Sequence, residues 1–322
     1  MSGEKRVAVA LSGGPDSMAL CWLLSREARK GMEIHALTVD HGLRAESADE
    51  ARRVARWVKD WPCLRHKILK RDMKGRNAAS KIMEAARHDR YALMAEYCRR
   101  HKITKLFTAH HLNDQAETFL FRLAKGSGLD GLSCMRDIQP YDESLSVVRP
   151  LLDVPKENLV ALCEREEIPF VADPSNENPR FARSRLRAAL EREGLTSPRL
   201  ARTASRLARA REALGFYADK VWMEALQEET KTRVVFSFPL LESAPADIRL
   251  RVVQRAMEKL GRKGAYPPRL EKLEEIVEEM FSDPPFRRAT LGGFMLARDS
   301  KRGRVSVEKE KSFGKSAGNR RK

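Results

Sequence analysis

Residues 6–24 read RVAVALSGGPDSMALCWLL, and this stretch decides the fold class. RVAVAL is a short apolar run typical of a buried strand, and DSMALCWLL has the apolar spacing of a helix. The glycine pair Gly13 and Gly14 joins the two and lets the backbone approach a phosphate closely, while the helix that follows presents free N–H groups. A structural turn, with Asp16 capping the helix, is the alternative.

The strand-then-helix order recurs along the first half of the chain. Short buried strands are predicted at 6–11, 33–39 and 105–110, with helical patterns between them. This alternation predicts an α/β fold with a doubly wound parallel sheet, whose ligands bind beyond the carboxyl ends of the strands. Polar residues follow each of the three strands: Ser12, Asp40–His41 and His110–His111.

The sequence becomes more basic after Asp173. Between residues 180 and 220 there are 11 basic and 4 acidic side chains, a local excess of 11 − 4 = 7 positive charges. We expect a catalytic domain over 1–190, a smaller, mostly helical domain over 191–311 and a basic disordered tail over 312–322. The second domain has predicted helices at 199–229, 245–261 and 267–282, one strand (RVVFSF) and a closing hairpin.

The charge balance indicates the class of partner. The formal net charge is +17 and the pI is about 9.9, which favours a polyanion such as nucleic acid over a generally basic surface. The five cysteines include no CxxC pair, so no disulfide framework is indicated. No signal peptide is recognisable, and no apolar run approaches the roughly 20 residues of a membrane span. We therefore expect a cytoplasmic protein without membrane association.

Three acidic residues in two motifs point to metal and proton chemistry. SGGPDS lacks the lysine of a GxxxxGK(S/T) loop, and Asp16 beside a phosphate is useful only with a cation such as Mg²⁺ between them. In HHLNDQAET, residues 110–118, Asp114 and Glu117 are three apart on one face of a predicted helix. Carboxylates there can hold a cation and accept a proton, or can simply complement the helix dipole.

Four motifs in register carry a resemblance to a known family. They are SGGPDS (12–17), TVDHGLRAES (38–47), TAHHLNDQAETFLFRLAKGSGLDGL (108–132) and DPSNENPRFARSRLR (173–187). In this order and spacing they resemble the bacterial tRNA(Ile)-lysidine synthases of the adenine-nucleotide α-hydrolase, or PP-loop ATP pyrophosphatase, superfamily. The match covers about residues 6–187.

The resemblance implies an ATP-dependent ligation in two steps. The wobble cytidine of tRNA(Ile) with a CAU anticodon is adenylated by ATP with loss of pyrophosphate, and free L-lysine then displaces AMP to give lysidine. It also implies Mg²⁺ as cofactor, and it supports a mostly helical second domain that binds the tRNA. Whether the chain acts as a monomer or as a homodimer is left open.

Site residues follow from the same resemblance, position by position. ATP binding is expected at Ser12, Gly13, Gly14, Pro15, Asp16, Ser17, Val39, Asp40, His41 and His110. Asp16 and Asp114 are assigned to the metal, Asp114 and Glu117 to lysine, and all three acids together with Arg183 to catalysis. tRNA contacts are expected from Arg87, Lys125, Arg183, Arg185 and Arg187.

The sequence departs from the family's pattern at two places. Three other functions remain as alternatives to lysidine synthesis. Ser184 stands where the family usually has asparagine, and Cys134–Met135 replaces the usual Gly-Met that closes the glycine-rich loop. The alternatives are a PP-loop tRNA thiolase, which needs catalytic cysteines, another ATP-dependent enzyme that adenylates tRNA, and a non-catalytic RNA-binding protein. The last would not need Asp16, Asp114 and Glu117 at one edge.

Overall fold

The computed structural model describes residues 4–28, 31–40, 47–70, 82–171, 194–261, 269–282 and 286–310. It divides the chain into two compact units, Met1–Ala208 and Arg209–Lys322. The predicted boundary at residue 190 and the predicted tail at 312–322 lie outside the described residues, so the domain limits given above stay a prediction.

The first unit contains a six-stranded sheet in the order β3-β2-β1-β4-β6-β5. Its strands are β1 (Arg6–Ala10), β2 (Glu33–Asp40), β3 (Leu64–Lys70), β4 (Lys105–Phe107), β5 (Ile138–Pro140) and β6 (Ser146–Val148). Neighbouring strands are parallel, except that the edge strand β5 runs antiparallel to β6. The predicted parallel sheet is thereby confirmed. The chain direction around the sheet reverses between β1 and β4, where ligands of such folds bind.

Helices cover both faces of this sheet. They are α1 (Pro15–Glu27), α2 (Ser47–Trp57), α3 (Ile82–Arg100), α4 (Leu112–Leu123), α5 (Leu129–Leu132) and α6 (Lys156–Arg165). Val7 and Val9, on one face of β1, pack with Met18 of α1, whereas Ala8 on the other face packs with Met94 of α3. All five of these side chains are at most 1% exposed. A strand buried on both faces reads as a continuous apolar run, which is why RVAVAL is recognisable.

The second unit pairs helices with a second sheet. Helix α7 (Ser197–Ala225) is followed by α8 (Phe238–Glu242), α9 (Ala246–Leu260) and α10 (Leu270–Met280). The strands are β7 (Leu226–Glu229), β8 (Arg233–Ser237), β9 (Arg288–Leu291), β10 (Phe294–Asp299) and β11 (Arg304–Lys309), in the antiparallel order β7-β8-β11-β10-β9. The predicted helix at 199–229 therefore ends at Ala225, because the next four residues form β7, three of which pair with β8.

The first turns of α7 belong by their contacts to the first unit. Leu200 and Ala204 are buried against Ala116 and Phe119 of α4. The helix that carries much of the local basic excess is thus anchored on the helix that carries Asp114. None of the described helices combines the length and the apolar composition needed to cross a lipid bilayer.

A hydrogen-bonded chain ties two strands, β2 and β3, to the segment that leaves β1. The Thr38 hydroxyl donates to the Leu11 carbonyl at 2.7 Å, and His66 Nε2 lies 2.8 Å from the same hydroxyl. Because the Thr38 proton is committed to Leu11, His66 Nε2 is the donor in the second bond. Burial lowers the pKa of His66 to about 4, so the ring is neutral near pH 7.

We expect this histidine to make stability pH-dependent. Between about pH 6.5 and pH 4 the unfolded chain binds a proton at His66 and the folded chain does not, so the free energy of unfolding falls as the pH falls through that window. His66→Gln retains a donor to Thr38 and should lose less stability between pH 7 and pH 4.5, measured by urea unfolding. His88→Gln, at an exposed histidine, is the control and should show the full wild-type decrease. An unchanged pH dependence in His66→Gln would contradict the assignment.

Candidate active site

The loop after β1 is held closed by two serines. The Ser17 hydroxyl donates to the Gly14 carbonyl at 3.0 Å, lies 3.0 Å from the Ser12 hydroxyl and accepts from the Ser12 backbone N–H at 3.2 Å. Ser17 is buried, and Gly14 is the N-cap of α1 with Pro15 in its first turn. The amino end of α1, where a helix has N–H groups without partners inside the helix, therefore opens onto a pre-formed loop.

Gly13 is required by both conformation and space. Its φ is +88°, in the region that favours glycine, and a Cβ atom built there would lie 2.6 Å from Val54 Cγ2. Its carbonyl accepts a hydrogen bond from the Val171 N–H at 2.9 Å. The loop is thus fixed against α2 and against the segment that follows α6.

Asp16 and Asp114 meet at one histidine. His111 Nε2 lies 3.6 Å from Asp16 Oδ2 and 3.4 Å from Asp114 Oδ2, and the His111 backbone N–H donates to Asp114 Oδ2 at 3.0 Å. The histidine side chain is 5% exposed, whereas the two carboxylates are 25% and 24% exposed. The carboxylates of two helices, α1 and α4, are therefore brought together beside the phosphate-type loop and remain accessible.

His111 was not selected from the sequence. The pair His110–His111 follows a strand, where neighbouring side chains point to opposite sides, and His110 was the one assigned to the nucleotide. In the structure, His110 Nδ1 lies 3.0 Å from the Thr108 hydroxyl, and His111 holds the carboxylates. His110 is partly exposed, and its assignment to the nucleotide stays a prediction. β4 ends at Phe107, three residues before the predicted end.

The remaining predicted residues of α4 lie at different depths. Glu117 is one turn beyond Asp114 and is 4% exposed. Lys125 follows the helix and is exposed, with its Nζ 4.2 Å from the centre of the Phe121 ring. Val39 and Asp40 end β2, which neighbours β1, so they share the edge of the sheet with Ser12.

Several predicted residues lie outside the described part of the chain. His41, Arg183, Arg185 and Arg187 are among them, and Arg87 lies in α3 at a position where the side chain is outside the described residues. Their assignments stay predictions.

The loop between α4 and β5 is fastened to α4 by an amide. Gln115 Nε2 donates to the Met135 carbonyl, its Oε1 accepts from the Met135 N–H, and both distances are 3.0 Å. Arg122 Nη1 also donates to the Gly131 carbonyl at 2.6 Å. The glycine-rich segment KGSGLDGL is therefore held in place here even though Cys134 replaces the usual glycine, and Cys134 itself has a φ of +56°.

The donor set of Asp16 and Asp114 fits a hard divalent cation. Among the described residues, no group of three or more His, Cys, Asp or Glu side chains forms a complete protein-only metal site. Two carboxylates beside a phosphate-type loop match Mg²⁺, which is commonly bound by one or two carboxylates together with substrate phosphates and water. The arrangement can thus bind a nucleoside triphosphate and stabilise negative charge on its phosphates.

Comparison with known proteins agrees with this chemistry. Residues 2–193 match the PP-loop domain family. A tRNA(Ile)-lysidine synthase of Methylobacterium nodulans is 42% identical over 299 residues, covering 90% of this chain and 86% of the relative. One from Bradyrhizobium diazoefficiens is 39% identical over 283 residues, covering 84% and 77%.

A solved structure shares part of the fold at much lower identity. The U34-tRNA thiolase NcsA from Methanococcus maripaludis, determined with its 4Fe–4S cluster, superposes with a TM-score of 0.51 at 20% identity. The match covers 63% of this chain and 72% of the thiolase. At this identity the likeness concerns the fold alone.

Proposed function

Because the chain belongs to the tRNA(Ile)-lysidine synthase family of PP-loop proteins, we propose that it ligates free L-lysine to the wobble cytidine of tRNA(Ile) with a CAU anticodon, at the expense of ATP. The observation that carries this function is the approach of Asp16 and Asp114 to one buried histidine beside the Ser12–Ser17 loop. Both steps need these elements: a phosphate cradle and a pair of accessible acids.

In the first step the cytidine carbonyl oxygen attacks the α-phosphorus of ATP, and the bond to pyrophosphate breaks. The backbone N–H groups at the start of α1 hold the phosphates, with Ser12 as a further hydroxyl contact. When bound, Mg²⁺ supplies positive charge that offsets the charge developing on the departing pyrophosphate. Asp16 and Asp114 would hold it, because carboxylate oxygens are its preferred protein ligands.

In the second step the amine of free lysine attacks the adenylated carbon and AMP leaves. Lysine arrives as an ammonium with a solution pKa near 10.4, so it must give up a proton before it can act as a nucleophile. Asp114 accepts that proton in our proposal, and Glu117, one turn along the same helix, binds the lysine. His111 orients both carboxylates by holding their Oδ2 atoms within 4 Å of one nitrogen. It is a positioning residue here.

The tRNA is held by basic side chains on the same unit. Lys125 is exposed beyond α4, and Arg202 and Arg206 are exposed on the first turns of α7, which packs on α4. We assign Arg87, Arg183, Arg185 and Arg187 to the same partner, with Arg183 near the reacting base. A cytoplasmic location and either a monomer or a homodimer are compatible with this function.

Incorporation of labelled lysine tests the function directly. Purified chain, ATP, Mg²⁺ and an unmodified tRNA(Ile) transcript with a CAU anticodon should transfer label from lysine to RNA, with one AMP and one pyrophosphate released per lysine. A tRNA(Met) transcript, which has the same anticodon, is the matched control and should accept little label. Pyrophosphate release with tRNA but no lysine transfer would reject the ligase and keep only the adenylating step.

The thiolase alternative lacks support from the cysteines. Four of the five, all of which are described, are buried. Burial raises the pKa of Cys98 to about 12 and, together with the charge of Asp16, that of Cys163 to about 11, so both are protonated thiols near pH 7. Since the thiolate is the nucleophile and metal ligand, neither has the character that sulfur transfer requires.

A further inference from the structure

A cavity lies at the amino ends of β1, β2 and β3, the edge of the sheet opposite Asp16 and Asp114. Its volume is about 320 Å³. Arg6 begins β1, Glu33 begins β2, Arg65 is the second residue of β3, and Arg100 ends α3. The strand register creates the cavity, because it pairs Arg6 with Glu33 and His35 with Arg65.

The lining of this cavity is strongly basic. Four side chains are cationic, Arg6, Arg65, Arg100 and Lys102, and Glu33 is the one acid among the lining residues. Arg6 Nε lies 3.0 Å from Glu33 Oε2, and Arg65 also pairs with Glu33. Arg100 pairs with Glu96, outside the lining, at 2.8 Å. The lining residues together retain a net charge of 4 − 1 = 3.

The floor of the cavity is a buried hydrogen-bonded chain. His35 is 3% exposed; its Nδ1 lies 2.9 Å from the Tyr97 hydroxyl and its Nε2 lies 3.3 Å from Glu33 Oε2. Burial lowers the pKa of His35 despite Glu33, so the ring is neutral and has one N–H to donate. His35 Nδ1 and the Tyr97 hydroxyl share one hydrogen bond, and His35 Nε2 faces the Glu33 carboxylate. Glu33 is thereby fixed as the anchor that holds Arg6 and Arg65 around the opening.

One of the cations occupies an unfavourable backbone position. Lys102 has a φ of +55°, just after the end of α3, where glycine is the usual residue. A side chain at that position costs backbone energy, so replacement of Lys102 by glycine should relax the turn.

We propose that this cavity binds a phosphate group, through the exposed Arg65 and Lys102 at its rim and through Arg6, which Glu33 holds beside them. Planar guanidinium groups and an ammonium are the side chains that proteins use for phosphate oxygens. The phosphate comes either from the backbone of an RNA or from a small free phosphate. This site is separate from the nucleotide loop and does not depend on the reaction proposed above.

Two variants test the site on the full chain. Lys102→Gly removes a cation and relaxes the backbone, so stability should be unchanged or higher while phosphate binding weakens. Arg65→Gln removes a rim cation and leaves Arg6 on Glu33. The matched controls are Glu167→Gly, which also replaces a residue with positive φ (+51°), and Arg165→Gln, at an arginine 72% exposed against 75% for Arg65.

Two probes distinguish the source of the phosphate. If RNA is the ligand, each variant should bind a tRNA(Ile) transcript about 3- to 10-fold more weakly and reduce the slope of log K against log salt by about 1, and the controls should not. If a small phosphate is the ligand, titration calorimetry with inorganic phosphate should show one site fewer in the variants than in wild type. Wild-type tRNA affinity, salt slope and phosphate stoichiometry in both variants would overturn the proposal.

Discussion

Asp114→Asn is expected to lower lysine-dependent AMP release by about 1000-fold, within the range that removal of a positioned proton acceptor produces. The substitution removes the negative charge that Asp114 contributes beside Asp16. It also removes the carboxylate oxygen that would accept the proton of lysine. Asparagine keeps a carbonyl oxygen that can accept the His111 N–H, a bond of 3.0 Å in the structure, so the start of α4 should be preserved. The rate of AMP release is measured from labelled ATP in quenched time-course assays with and without lysine.

Two further measurements separate catalysis from folding. Binding of the tRNA transcript and the urea midpoint of Asp114→Asn should stay close to wild type. Asp60→Asn is the control: Asp60 lies in an exposed turn and is not among the candidate site residues, so this variant should retain full activity. Loss of tRNA binding or of stability that parallels the loss of AMP release would move Asp114 to a structural role.

Gly13→Ala is expected to destabilise the chain by about 2–5 kcal/mol, from about 1–2 kcal/mol of left-handed backbone strain and about 1–3 kcal/mol of overpacking. The two contributions arise from φ of +88° and from the 2.6 Å approach of a Cβ to Val54 Cγ2. The displaced loop should also bind ATP at least about 10-fold more weakly, which corresponds to about 1.4 kcal/mol. Urea unfolding and nucleotide titration measure the two effects.

The chain offers a matched control for each part of that effect. Gly31 has the same φ of +88°, and a Cβ added there would meet nothing within 4 Å, so Gly31→Ala should show the backbone cost alone and normal ATP binding. Adding Val54→Ala to Gly13→Ala removes the close contact and should recover only the packing part, measured as a coupling energy in a double-mutant cycle. Equal losses in Gly13→Ala and Gly31→Ala would show that the contact with Val54 is of no consequence.

The parts of the fold that could be predicted are those buried on both sides. The central residues of β1 and β2 are buried, and their apolar runs indicated that both strands exist. β5 (IQP) has three exposed residues, and β7 (LQEE) is exposed over its last three, so neither has an apolar pattern to read. β3 alternates, but arginine, histidine and lysine occupy its exposed or half-buried positions and obscure the alternation.

The candidate site was predictable to the level of motifs and no further. SGGPDS and HHLNDQAET indicated Asp16 and Asp114, since both follow strands that a parallel sheet brings to one edge. His111 was not among the predicted site residues, because its approach to carboxylates from two helices arises only from the packing of α1 beside α4. The cavity at the opposite edge could not be predicted at all, because Arg6, Glu33 and Arg65 come together only through strand register.

The single exposed thiol gives this chain a built-in attachment point for a spectroscopic reporter. Of the five cysteines, all described, Cys63 alone is exposed, and burial keeps Cys21, Cys98 and Cys163 protonated by raising their pKa. An alkylating fluorophore therefore attaches at Cys63 without any substitution. That position directly precedes β3, two residues from Arg65, so the dye would sit beside the basic cavity and at the far edge of the sheet from the nucleotide loop.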